Sequence, residues 1–416
     1  MSKINRCILI VADSVGAGAA KDAHRFNDQG SDTLGNIAKW CVNNSVDFQL
    51  PVMGTLGLGK IANLPLLKNS SLAKEALAQA LLEELSPGKD TTTGHWEIAG
   101  NVLNVEFPIY PNGFPKELLD KWALENNLPG YLCNQPASGT EVIEKFGPEH
   151  LRSGKPIVYT SGDSVWQIAA SEETFGLQKL LAISKSARKY ADELGLGRVI
   201  ARPFTGKDSA TFKRTENRKD YSTPPPSPNL LDALVASKKF VAGIGKIDDI
   251  FANRSLTDSD HTGRNETSMI ATLKMMKKTD GQSGLIFANY IDFDMLWGHR
   301  RNPGGYAKAL MELDQFLPSV INESNENDLI ILTADHGNDP THGGTDHTRE
   351  DVPLLVFSKN PALRPIGNLG QLKGFHTIGR LVLEALGISV EQSKIVGLQS
   401  APKIWSALNS TATGLA

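Results

Sequence analysis

The chain has 416 residues, of which 40% are hydrophobic and 21% charged, and a formal net charge of −3. That length fits two domains or one large α/β domain, and the near-neutral charge, with no run of five Lys/Arg, points away from nucleic acid. Three scattered cysteines, Cys7, Cys41 and Cys133, rule out a disulfide framework or a thiolate zinc site, and no apolar run approaches the ~20 residues of a membrane span.

The first predicted element is a strand, Cys7–Ala12, closed by Asp13. Six apolar residues ending in an acid are too few for a secretory signal, so the expected location is cytoplasmic. Gly16-Ala-Gly18 lacks the third glycine of a dinucleotide fingerprint. Gly54-Thr-Leu-Gly-Leu-Gly-Lys60 is followed by Ile61, where a nucleotide-binding phosphate loop needs a hydroxyl for magnesium.

Gly88-Lys-Asp-Thr-Thr-Thr-Gly-His-Trp-Glu97 sets three threonines between glycines and directly after an acid. A threonine oxygen beside a divalent ion ionises near neutral pH and can accept a phosphoryl group. The segment also reads as a polar turn capping a helix that starts near Thr91–Thr93, and chemistry alone does not choose among the three.

From about Val105 to Lys219 apolar runs are fewer. Ile157–Thr160 and Arg198–Phe204 read as strands, and Arg198, Arg202, Lys207, Lys213, Arg214, Arg218 and Lys219 gather near the end. The proline-rich stretch Ser222–Pro228 cannot continue a helix or sit in a central strand. We expect residues 105–219 to form an inserted, smaller α/β cap domain, and residues 1–104 and 220–416 a discontinuous core.

Four further strands are predicted at Phe240–Ile244, Leu285–Ile291, Leu329–Thr333 and Pro353–Phe357. Between them Gly304–Ile321 and Thr377–Leu386 have helical periodicity. Strands alternating with helices predict an α/β fold with a largely parallel central sheet, whose strands are apolar because both faces are covered.

The residues just past the strand ends carry the chemistry. One strand ends at Asp13, one at Asp292-Phe-Asp294, with His299 five residues on, and one at Asp335-His336. The stretch Thr333–His347 alone holds three of the nine histidines, His336, His342 and His347, and three aspartates. Ligands in open α/β sheets bind beyond the carboxyl ends of the strands. Carboxylates mixed with imidazoles suit manganese, zinc or iron, and there are enough of them for two ions ~3.5–4 Å apart, as in phosphoryl-transfer sites. Two divalent ions balanced by Asp13, Asp294, Asp335 and an ionised threonine sum to zero charge, which suits a dianionic phosphate. Each residue taken singly has a plainer reading: a lone Asp after a strand is usually a cap or turn former.

Together these segments resemble the alkaline phosphatase superfamily and, within it, the phosphopentomutase family. The likeness runs through Asp13-Ser-Val-Gly, Gly88-Lys-Asp-Thr-Thr-Thr-Gly-His-Trp-Glu, Tyr159-Thr-Ser-Gly-Asp-Ser-Val and Gly197-Arg-Val-Ile-Ala-Arg-Pro-Phe. It continues through Gly243-Ile-Gly-Lys-Ile-Asp-Asp-Ile, Asp292-Phe-Asp-Met-Leu-Trp-Gly-His and Thr333-Ala-Asp-His-Gly-Asn. The resemblance implies an alkaline phosphatase-like core and Thr91 as nucleophile. It implies one Mn(2+) on Asp294, His299 and His347 and a second on Asp13, Asp335 and His336. His347 is preferred to His342 because it opens His-Thr-x-x-x-Val-Pro; Asp292 and His342 are left as supporting or structural residues. Asp163, Arg198, Ile200 and Lys246 match substrate-contacting positions, and Gly162 replaces an alanine common in the family.

The activity so implied is interconversion of (deoxy)ribose 1-phosphate and 5-phosphate through a phosphothreonine enzyme and a sugar bisphosphate, which also primes the enzyme. A mutase must exclude water, and a basic cap would serve that need. The alternatives are another phosphatase or phosphosugar mutase of the superfamily, or a metal-binding protein without catalysis. No Cys/Ser-x-Pro-x-Arg occurs, which disfavours a sulfatase. The one partner indicated is a small-molecule pentose phosphate, with no nucleic acid, membrane or protein partner.

Overall fold

The computed structural model describes residues 4–64, 70–71, 73–161 and 164–410. It divides into two compact units, Met1–Val105 with Pro225–Ala416, and Glu106–Pro224. The chain re-enters the larger unit within the proline run. Among the described residues no helix is long and apolar enough to cross a membrane.

In chain order the strands are β1 Arg6–Ala12, β2 Ala78–Glu83, β3 Leu132–Pro136, β4 Ile157–Thr160, β5 Val165–Ser171, β6 Arg198–Thr205 and β7 Lys213–Arg214. They continue with β8 Lys219–Ser222, β9 Phe240–Ile244, β10 Asp258–Asp260, β11 Gly284–Tyr290, β12 Asp328–Thr333, β13 Val352–Phe357 and β14 Gly367–Lys373.

The larger unit is built on an eight-stranded sheet in the order β10-β9-β11-β1-β12-β13-β2-β14. It is parallel from β10 through β12, and β13 runs antiparallel to both neighbours. β1, β11 and β12 are buried along their whole length. Both faces are covered, as the alternation along β11 shows. Phe287 packs on His95 and Phe251, whereas Tyr290 meets Thr272 and Phe316 on the opposite side.

Register decides the site. Arg6 forks onto Asp328 of the neighbouring strand, Nε and Nη2 donating at 2.9 and 2.7 Å, with both side chains buried. Arg6 and Asp328 are also register partners, as are Val11 and Thr333. Asp13 and Asp335, each two residues further on, therefore leave the sheet side by side. A one-residue slip would turn every side chain to the other face.

The smaller unit is a second α/β layer structure. Its sheet runs β3-β4-β5-β6-β7, and β8 also pairs with β6. On one face Trp166, Ile168, Val199 and Ala201 pack against Leu119 and Trp122 of the helix Lys116–Glu125 and Leu180, Ile183 and Tyr190 of the helix Leu177–Glu193. On the other, Ile157, Tyr159, Ala169 and Phe204 meet Val142 and Ile143 of the helix Gly139–Ser153.

Two buried strands were not among those predicted. β2, Ala-Gln-Ala-Leu-Leu-Glu, is made of strong helix formers, yet it is held between β13 and β14. β5 is fully buried although it carries Gln167, whose Oε1 accepts from Arg202 Nε at 2.6 Å. In both, pairing with neighbouring strands overrides local pattern.

Candidate active site

The adjacent strands β11, β1 and β12 carry their acids just past their carboxyl ends, at one end of the sheet. Asp13 follows β1 and is buried, and its neighbour Ser14 turns the chain at φ +71°. A non-glycine residue in that conformation costs of order 1–3 kcal/mol and persists only where its surroundings hold it. Here the Ser14 N–H donates to Asp335 Oδ1 at 3.0 Å, and the Tyr306 hydroxyl donates to the Ser14 carbonyl at 2.9 Å.

After β11, Phe293–Gly298 forms a wide π-type turn, closed by the His299 N–H on the Asp294 carbonyl at 3.0 Å. Such i→i+5 turns recur at functional sites. This one puts His299 Nε2 3.2 Å from Asp294 Oδ2. His347 Nε2 lies 3.3 Å from Asp294 Oδ1 and 3.1 Å from His299 Nε2. Beside them, His336 Nε2 lies 3.4 Å from Asp13 Oδ1 and 3.6 Å from Asp335 Oδ2. The His336 and His347 rings are 4.1 Å apart. Asp13, Asp294, His299, Asp335, His336 and His347 thus form one continuous cluster, buried except at His299.

Thr91 opens the helix Thr91–Ile98. Asp90 is its cap, Oδ1 accepting from the Thr92 and Thr93 N–H groups at 3.0 and 3.2 Å. That explains the acid before the threonines: it satisfies first-turn donors. It leaves Thr91 at the helix N-terminus, an end that favours anions, with Oγ1 3.1 Å from His336 Nε2. Thr92 and Thr93 are buried, and the Thr93 hydroxyl is taken by Asp90.

The donor set fits metal ions. The His299 and His336 rings present Nδ1 to the carbonyls of Thr345 and Gly337 at 2.8 and 3.0 Å, which leaves their Nε2 lone pairs facing the cluster. Two buried carboxylate oxygens, Asp13 Oδ1 and Asp335 Oδ2, have no hydrogen-bond partner among the described residues. Two groups of three ligand atoms, Asp13–Asp335–His336 and Asp294–His336–His347, lie within 4.8 Å. Burial and the nearby Asp335 raise the Asp13 carboxyl above its ordinary range. Burial acts in the same direction on Asp294, but the His347 and His299 imidazoles hold it well below the usual carboxylate range. Converging lone pairs and acids in a dry site are best satisfied by cations.

Four residues that the motifs did not single out complete the frame. Asn338 Nδ2 donates to Asp294 Oδ1 at 2.7 Å. Arg301 donates to Asn338 Oδ1 and to the carbonyls of Asp339 and Asp346, at 2.7, 2.9 and 2.9 Å, clamping the loop between His336 and His347. Arg349 donates to Glu84 and to the carbonyls of Ser86 and Gly88, tying the His347 segment to the approach to Thr91. Glu97, in the Thr91 helix, accepts from the N–H groups of Leu85, Ser86 and Phe375. Arg301 and Asn338 lie close in sequence to His299 and His336, and that proximity was the available signal.

The remaining residues separate cleanly. Asp292 caps the helix Asn265–Lys278 through the Asn265 N–H and pairs with Arg264 at 3.0 Å. His342 Nε2 lies 3.2 Å from the Asn27 carbonyl, away from the cluster. Lys246 follows β9 and is half-buried. In the smaller unit Arg198 and the buried Ile200 lie on β6, with Arg198 3.9 Å from Asp220, while Gly162 and Asp163 lie outside the described residues. Farther along β6, Arg202 lines a cavity of about 270 Å³ together with Arg214 of β7 and Arg218, which directly precedes β8. Burial, and then Arg218, lower the Arg202 pKa to about 10. Buried Tyr159 Oη, near these arginines, has no hydrogen-bond partner among the described residues.

The family model described as "Metalloenzyme superfamily" matches residues 5–390. The chain is 47% identical over 388 residues to a phosphopentomutase of Carboxydothermus hydrogenoformans, covering 92% of this chain and 96% of that one. It is 45% identical over 386 residues to one from Caldanaerobacter subterraneus subsp. tengcongensis, covering 92% and 95%. A phosphopentomutase of Rhizobium meliloti is 44% identical over 400 residues, with 92% and 98% covered.

Proposed function

Starting from a chain that belongs to the phosphopentomutase family of the metalloenzyme superfamily, an isomerase that moves a phosphoryl group within its substrate, we propose that Thr91 carries that group between turns of the reaction. The observation that carries the reading is Thr91 Oγ1 at a helix N-terminus, 3.1 Å from His336 Nε2, beside a cluster of three acids and three histidines.

In this scheme phosphothreonine 91 gives its phosphoryl group to the free hydroxyl of ribose or deoxyribose phosphate. The new bond forms to the sugar oxygen, the Thr91 Oγ1–phosphorus bond breaks, and the sugar's proton ends on Thr91. The resulting bisphosphate turns round, and its other phosphoryl group returns to Thr91: a new Oγ1–phosphorus bond forms, the second sugar oxygen–phosphorus bond breaks, and the Thr91 proton passes to the freed sugar hydroxyl. An enzyme without phosphate on Thr91 is primed by a sugar bisphosphate. The Thr91 N–H, at the positive end of its helix, orients the transferring group.

Asp13, Asp335 and His336 would hold one divalent ion, and Asp294, His299 and His347 the other; we favour Mn(2+) from the mixed carboxylate and imidazole donors. When bound, the pair supplies charge stabilisation for in-line transfer. Asp163, Arg198, Ile200 and Lys246 are our substrate contacts, by match to the family motifs. The cavity of Arg202, Arg214 and Arg218 has the chemistry to hold a phosphate, since planar guanidinium groups bind phosphate bidentately. A cytoplasmic location agrees with the unpaired Cys7, Cys41 and Cys133.

The test supplies the manganese-loaded protein, primed by glucose 1,6-bisphosphate, with ribose 1-phosphate, and follows phosphorus NMR. Ribose 5-phosphate with little inorganic phosphate is the expected product, and phosphate as the main product would overturn the phosphothreonine mutase scheme. Intact mass should show one added phosphate, absent in Thr91→Ala.

A further inference from the structure

His95 lies one helical turn after Thr91 and is fully buried. Its Nδ1 is 2.8 Å from the Thr91 carbonyl oxygen and 3.1 Å from Asp335 Oδ2. On the other side of the ring, Nε2 faces Asn289 Nδ2 at 3.4 Å, and the same amide nitrogen donates to Asp13 Oδ2 at 2.8 Å. The ring stacks on Phe287, with centroids 5.6 Å apart and planes inclined by 23°. Phe287 and Asn289 are two residues apart on β11, so one face of that strand fixes both the plane of the imidazole and its rotation.

The hydrogens can be assigned from what each partner accepts. A carbonyl and a carboxylate oxygen both accept, so the proton sits on Nδ1 and is donated to the Thr91 carbonyl, while Asp335 Oδ2 lies 3.1 Å from the same nitrogen. Nε2 then accepts one Asn289 Nδ2 hydrogen, and the other goes to Asp13. Reversing the amide would set its oxygen against the Asp13 carboxylate. The outcome is a hydrogen-bonded path from the Thr91 carbonyl through His95 and Asn289 to Asp13, with Asp335 Oδ2 set 3.1 Å from the same ring, so that one imidazole lies between two buried acids of one ligand group and the backbone of the nucleophile.

We propose that His95, oriented by Phe287 and Asn289, is a positioning residue that sets the separation of Asp13 and Asp335 and locks it to the helix carrying Thr91. The inference rests on the reading of Asp13, Asp335 and His336 as ligands of one ion. It explains the Thr-Thr-Thr-Gly-His spacing: a histidine four residues after the nucleophile reaches back to its carbonyl and across to the acid. A plain core histidine would need neither acid.

The test measures manganese binding by calorimetry, with folding checked by circular dichroism. His95→Phe keeps the stacking ring and removes both nitrogens, while His95→Asn restores a donor at the Nδ1 position. Asn289→Leu removes the amide at similar volume, and Asp335→Asn serves as the control for the ligand reading. We expect His95→Phe and Asn289→Leu to weaken one of the two ions about 10- to 100-fold, the range typical of lost supporting partners. The KM for ribose 1-phosphate should be unchanged, and His95→Asn should recover most of the affinity. Parental affinity for both ions in His95→Phe, with Asp335→Asn impaired, would overturn the positioning role alone. Parental affinity in Asp335→Asn would overturn the ligand reading beneath it. Should His95→Phe fail to fold, Asn289→Leu decides, and parental binding there counts against the proposal.

Discussion

Gly94, in the first turn of the Thr91 helix, meets Asp335 so closely that a Cβ there would lie 2.0 Å from the Asp335 carbonyl oxygen. The obstacle is backbone at the end of β12 and cannot swing aside. Gly94→Ala therefore has to push the helix away from the ligand strand, against the ~1 kcal/mol that alanine gains in a helix. Misplacing a reacting group by about 1 Å costs on the order of 10²-fold in rate. We expect kcat to fall about 100-fold with the protein still folded, and steady-state kinetics with circular dichroism checks both. A parental kcat would contradict the close approach.

Thr91→Ala removes the proposed acceptor oxygen and little else, since the Asp90 cap serves Thr92 and Thr93. Interconversion of the pentose phosphates should drop by about 10³-fold or more. A Thr91→Ser variant should keep measurable activity and take up phosphate from the bisphosphate, as read by intact mass.

Asp13, Asp294 and Asp335 are buried together, and bound cations would relieve their mutual repulsion. Removing metal with a chelator should lower the melting temperature, and adding Mn(2+) should restore it. At a metal concentration of about 100 times Kd the stabilisation is ~2.7 kcal/mol. A melting temperature indifferent to chelator and manganese would show that the cluster binds no ion tightly.

Asp351 supplies a test by pH. Burial raises its carboxyl from 3.8 to about 7, partly offset by the Gln371 amide, which donates to Oδ2 at 2.5 Å. A raised carboxyl favours the protonated form in the folded state. Its contribution to stability is complete below about pH 3.8 and is lost as pH rises through about 7. Asp351→Asn is neutral throughout, so its melting temperature relative to the parent should climb from pH 4 to pH 7 and then level off. A difference that does not change with pH would refute the raised pKa.

Much of this protein was legible in its order of residues. Continuous apolar runs marked β1, β4, β6, β9, β11, β12 and β13, because strands covered on both faces need no polar alternation. The acids and histidines after three of those runs marked a metal-type cluster, since ligands gather at strand ends in such sheets. The Thr-Thr-Thr segment and the family motifs singled out Thr91. Sequence alone, however, could not show that β11, β1 and β12 are neighbours, or that an Arg6–Asp328 pair sets their register. Those facts depend on contacts between residues as many as 322 positions apart, which no local pattern encodes. The family motifs had already set Asp292 and His342 apart from the ligands, but only the tertiary structure showed their partners, Arg264 with the Asn265 N–H, and the Asn27 carbonyl. It also assigned β2 to a sheet against its helical composition, and gave His95, Asn289, Arg301 and Asn338 their partners. A side chain's chemistry belongs to the residue, but its role depends on what the fold sets within about 3 Å of it.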